Sequence, residues 1–140
     1  MSVIPLPVIA EVGLAMLEGA RKYGRHNYRV LGVKASVYFD AVVARHMTQW
    51  WEGEDIDADS GLSHITKAIA SLMVLRDAMI QGKMVDDRPP PSPEGWLQKM
   101  NETASMIIDR YPNPVEAFVR QPHPLAGDAI EMLTFGPLEK

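Results

Sequence analysis

Residues 37–70 hold the side chains that could ligate a hard cation or move a proton: Asp40, His46, Glu52, Glu54, Asp55, Asp57, Asp59 and His64. The densest run is EGEDIDAD, residues 52–59, with five carboxylates in eight positions. Like charges a few ångströms apart disfavour joint ionisation, and a bound divalent ion removes that cost. Oxygen-rich sites with few nitrogens select hard ions such as magnesium or manganese. The same run would equally serve as an exposed acidic turn, with Asp59 or Ser60 capping the next helix and the negative charge favouring its dipole. His64 follows the run directly. It and His46 offer two imidazoles that either complete an ion's shell or sit hydrogen-bonded in a core.

A second cluster precedes the first. GARKYGRHNYR, residues 19–29, has four cations, two tyrosines and an asparagine. Arginine and lysine neutralise phosphate oxygens, an aromatic ring stacks on a base, and an asparagine amide gives a base edge both a donor and an acceptor. A solvated basic loop has the same composition. Gly-x-x-x-x-Gly-Lys-Ser/Thr does not occur, which excludes a nucleotide site of that phosphate-loop type.

Helices must hold these clusters. Ile9, Val12, Ala15, Met16 and Ala20 recur at helical spacing and predict a helix over 8–22, opened by Pro7 and closed near Gly24. A second helix is expected over 36–53, apolar on more than one side and therefore covered, with Asp40 and Glu54 along one stripe. A third is expected over 61–81, with a polar line of His64, Lys67 and Ser71. Residues 83–93, KMVDDRPPPSP, form a stiff extended connector. A fourth helix follows over 94–110, with Trp96, Leu97, Met100, Ala104, Ile107 and Ile108 facing inward. The fold class is all-α: an antiparallel bundle of about four helices with a proline-rich connector and a C-terminal tail. The 140 residues read as one domain, with a core over about 6–110, an extended tail over 111–140 and a short helical turn around 128–133.

Composition narrows the partners. Apolar residues at 46% and charged residues at 23% belong to ordinary globular proteins. The formal charge of −4 argues against long nucleic acid, whose binders present an excess of lysine and arginine. The absence of cysteine excludes disulfides and thiolate metal sites. An apolar start with no basic region and with Glu11 inside it is no signal peptide, and no apolar run is as long as a membrane span; a cytoplasmic protein is expected. Nine methionines and helices apolar on several faces point to a homodimer or homotetramer.

The linked elements Lys22-Tyr23-Gly24 with Asn27, Arg45-His46, Gly53-Glu54 with Asp57, and Ser60-Gly61 with His64, followed by DDRPPPSPEGWLQKMN and YPNP, resemble the phage-type dATP/dGTP diphosphohydrolases, MazZ-like relatives of the MazG nucleotide pyrophosphohydrolases. The resemblance spans about residues 9–114. It implies hydrolysis of dGTP or dATP to the monophosphate and pyrophosphate with magnesium or manganese, in the host cytoplasm if phage-encoded. On this reading Glu54 and Asp57 are catalytic and, with Asp40, His46 or His64, hold the ions. Lys22, Arg25, Arg45 and Lys67 meet the phosphates, while Tyr23, Gly24, Asn27 and Tyr28 lie against base or sugar. The broader MazG pattern of Glu-x-x-Glu on one helix and Glu-x-x-Asp on the next is only half present: Glu54 and Asp57 supply one Glu-x-x-Asp, and His64 and Lys67 stand where a second acidic pair would be. Two other readings stay open. One is a His/Asp enzyme releasing tripolyphosphate, which would need an adjacent His-Asp pair that the chain lacks. The other is a helical interaction protein without enzymatic activity.

Overall fold

Pro7 stands in the first turn of α1 (Leu6–Tyr23), where its missing N–H costs nothing. The helix ends at Gly24, whose φ of 94° suits glycine and whose N–H donates to the Ala20 carbonyl at 3.0 Å. The computed structural model describes residues 2–118. They fall into two compact units, one ending at Pro91 and the other beginning at Ser92.

In the first unit, Val12 and Ala15 of α1 pack against Ala70 of α5 (His64–Ile80), with Met16, Leu62 and Ile69 closing around them. Two of the three central residues are alanines, so the helices approach closely. Between these helices the chain makes a short helix α2 (Asn27–Leu31), in the basic segment that sequence alone reads as a loop. It then makes a two-residue strand β1 (Val33–Lys34) and a helical rod from residue 35 to residue 51.

That rod changes pitch along its length. It starts as α3 (Ala35–Phe39), widens into a π-helix over Asp40–Met47, and closes as α4 (Thr48–Trp51). π segments are rare and occur often at functional sites. Here the widened turns bury Val42 and His46. The rod is not covered on all sides as expected: Val37, Phe39 and Trp51 are 57%, 62% and 78% exposed.

The third expected helix is α5, and its cap differs from the expectation. Ser63, not Asp59 or Ser60, stands at its N-terminus and accepts a hydrogen bond from the Ile65 N–H at 3.2 Å. Asp59 and Ser60 are engaged elsewhere. After α5, the strand β2 (Met84–Val85) pairs in parallel with β1, Val33 beside Met84 and Lys34 beside Val85. Gly32 makes this possible. Its φ is 78°, and a Cβ there would lie 2.8 Å from the Lys83 carbonyl oxygen, which accepts from the Val33 N–H. Just beyond β2, Asp87 caps the start of α3, accepting from the Ser36 N–H at 2.9 Å and the Ser36 hydroxyl at 2.6 Å.

The second unit contains α6 (Trp96–Arg110), the fourth expected helix. Its apolar residues keep the expected stripe, yet none is buried: Trp96, Leu97 and Ile108 are half or more exposed. Residues 111–118 are irregular and exposed. The helical turn expected around 128–133 lies outside the described residues. Among the described residues no helix is long and apolar enough to cross a membrane.

Candidate active site

The last turns of α1 place Glu18 and Lys22 on one side of an open cavity of about 470 Å³, and α5 places Lys67 on the other. The salt bridge of Glu18 with Lys22, one turn apart, has a length of 2.5 Å. Glu18 also meets the Lys67 ammonium across the helix pair. Lys22 reaches on to Asp59 at 2.9 Å, and Lys67 lies 4.0 Å from Asp57. The Ser60 hydroxyl donates to Asp57 at 2.6 Å. Two lysines thus link three carboxylates from α1 and the acidic run.

These contacts fix the charge states. Hydrogen bonds from Lys22 and Lys67 hold the Glu18 carboxyl below the usual carboxylate range, and the same contact raises Lys22. Burial pushes the Asp57 carboxyl up, but the Ser60 hydrogen bond and the nearby Lys67 charge outweigh it and leave Asp57 lowered. Glu18, Lys22 and Asp57 are therefore charged at neutral pH. Around the cavity, Lys22, Arg25, Arg45 and Lys67 outnumber Glu18, Asp57 and Asp59 by one charge.

The cavity brings together every residue expected to contact substrate: Lys22, Tyr23, Gly24, Arg25, Asn27, Tyr28, Arg45 and Lys67 all line it. Asp59 of the acidic run joins them, as do Glu18, His26 and Tyr38, which sequence reading did not single out as site residues. Glu18 hides in the sequence because a glutamate four residues before a lysine reads as an ordinary helix-surface pair.

The expected ion ligands are not gathered in the same way. Asp57 lines the cavity; Glu54, Asp40, His46 and His64 do not. Asp40 is exposed on the π segment. His46 and His64 are buried against each other, Nδ1 to Nδ1 at 3.0 Å. His64 Nε2 lies 3.6 Å from a Glu54 carboxylate oxygen and makes no hydrogen bond. One of the paired Nδ1 atoms must donate and the other accept. Charge selects His46 as the donor, since this leaves the His64 Nε2–H, rather than a bare lone pair, facing the Glu54 carboxylate. Burial, with His64 beside it, lowers the His46 pKa and favours its neutral form.

Among the described residues no three His, Asp or Glu side chains converge into a group that could hold a metal ion. The set Glu54, Asp57, His64, His46 and Asp40 therefore does not form a preformed cage. The histidines use their Nδ1 atoms on each other, and the carboxylates of the acidic run turn to different partners. What the cavity does offer a hard ion is two carboxylates, Glu18 and Asp57, that share Lys67. That donor set fits magnesium, which keeps several waters and is held by one or two carboxylates together with substrate phosphates.

The first unit is thus an all-α unit that carries a cavity lined by cations, carboxylates and tyrosines. The chain belongs to the dATP/dGTP diphosphohydrolase N-terminal family, whose model matches residues 1–88. The match covers the first unit almost exactly as far as the proline run. No match was found among curated proteins or among solved structures.

Proposed function

We propose that this protein hydrolyses a purine deoxynucleoside triphosphate, dGTP or dATP, to the monophosphate and pyrophosphate. The observation that carries the reading is the joint placement, in one cavity of a chain of this family, of four cations with three carboxylates and three tyrosines. A triphosphate carries several negative charges, so its natural place is against Lys22, Lys67, Arg25 and Arg45. The arginines offer planar donor pairs to phosphate oxygens, and the lysines serve as point charges. The base then lies against the tyrosines.

Glu18 and Asp57 would hold magnesium or manganese with the substrate's own phosphate oxygens, and the ion would supply charge neutralisation and a more acidic bound water. The chain's residues do the rest. Lys22 and Lys67 leave their carboxylate partners for phosphate oxygens and hold the α-phosphate in place. Asp57 stays ionised and is oriented by Ser60. Most of the rate enhancement is positioning and electrostatics, which suits a site without a cysteine or an activated serine. Glu54 acts at one remove, against His64 under the acidic run. A second copy of the chain covers the apolar side chains that one copy leaves in water.

The test is product analysis. Purified protein is incubated with each of the four dNTPs and magnesium or manganese, and the products are separated by ion exchange. Monophosphate with pyrophosphate from the purine substrates is expected; nucleoside with tripolyphosphate, or no turnover, would reject the proposal. Asp57→Asn should lower kcat by about 100-fold or more, while the unfolding midpoint moves little.

A further inference from the structure

The residues around the cavity include a charged group and an aromatic group. Glu18, Lys22, Asp57, Asp59 and Lys67 form a charged network through direct contacts. Tyr23, Tyr28 and Tyr38 form the other group, with the His26 ring edge-on to Tyr28 at 6.2 Å between centroids. If phosphates take the charged network, as proposed above, a base meets the tyrosines.

Tyr38 differs from the other two rings. It sits on α3, half-buried, ahead of the π segment, whereas Tyr23 is exposed and Tyr28, also half-buried, lies against the Arg29–Asp77 pair. Its hydroxyl makes no hydrogen bond among the described residues. Burial, reinforced by the neighbouring Tyr28 and Tyr23, raises its pKa, so the group stays an O–H donor well above neutral pH. A hydroxyl that lines the cavity with its donor unused is free to meet an acceptor on a ligand.

Adenine and guanine differ at the exocyclic position, where one carries an N6 donor and the other an O6 acceptor. They share one acceptor on the same edge, N7, which cytosine and thymine lack. A site that takes both purines and refuses pyrimidines can do so by reading N7. We infer that the Tyr38 hydroxyl is the purine-selecting group, donating a hydrogen bond to N7 of the bound base. Asn27, half-buried on the same cavity, complements it. Its amide can turn to give guanine O6 a donor or adenine N6 an acceptor, so it tolerates the position at which the two bases differ.

The inference rests on the proposed nucleotide site, and its test separates the two. Wild type and Tyr38→Phe are compared on dGTP and 7-deaza-dGTP, in which a carbon replaces N7. Turnover is measured with these triphosphates, and binding is measured by calorimetry with dGMP and 7-deaza-dGMP. Wild type should prefer the natural base about tenfold, and Tyr38→Phe should lose that preference while melting normally. Equal handling of both bases by wild type, or a preference that survives in Tyr38→Phe, overturns the role of Tyr38. Equal handling with continued purine turnover leaves the hydrolase reading standing. A retained binding preference without any turnover rejects the hydrolase and leaves the N7 contact in place, and failure to bind either monophosphate overturns both. Tyr38→Trp, which keeps an aromatic ring and an N–H donor but moves the donor, provides a second variant and should also lose the preference.

Discussion

The buried His46–His64 pair shows how a single proton can carry stability. Burial first, and the adjacent His64 second, hold the His46 pKa below its ordinary value of about 6.5. Between those two values an unfolded chain binds the proton more readily than the folded one, so stability rises with pH across that window. Stability should therefore be complete above about pH 6.5 and fall as the pH drops below it. Urea unfolding in the presence of EDTA at several values between pH 5 and pH 7.5 measures this, and His46→Gln should flatten the dependence. The sequence shows both histidines but not their contact. They are eighteen residues apart on different helices, and nothing in local spacing distinguishes a mutual pair from two ion ligands. The same limit applies to Glu18, whose second lysine partner is Lys67 on another helix.

Elements built on repeating apolar spacing were readable, and those built on one or two specific contacts were not. Helices α1, α5 and α6 lie within a few residues of where periodicity puts them, because each presents a long stripe of apolar positions. The β1–β2 pair has two residues per strand and no period to detect. The π segment preserves the spacing of Val42 and His46, so its altered pitch leaves no mark in an eight-residue window. The cap of α5 is Ser63 rather than Asp59 or Ser60, which one reading of the acidic run offers; all three are good cap residues. Only the partners of Asp59 and Ser60 decide among them. Gly32 gives the sharpest test at this scale. Gly32→Ala adds a Cβ 2.8 Å from the Lys83 carbonyl oxygen at a positive φ, and should destabilise the protein by about 2 kcal/mol or more, read from the denaturation midpoint.

Taken whole, the described chain buries little. Its fully enclosed apolar residues are valines and alanines, while Phe39, Trp51 and Ile80 are 62%, 78% and 65% exposed. Large side chains on several helices in contact with water fit association with a second copy. Sedimentation should find a dimer or tetramer at micromolar concentration, and a well-behaved monomer would count against it. The Asp87 clasp on Ser36 has a further consequence. It ties the rod's first turn to a carboxylate 51 residues downstream, just short of residue 88 where the family match ends and a few positions before the division at Pro91. Limited digestion within the prolines should therefore release a fragment that refolds unaided and melts cooperatively. A nick upstream of Met84 should remove both the strand pairing and the clasp, and leave a product that unravels.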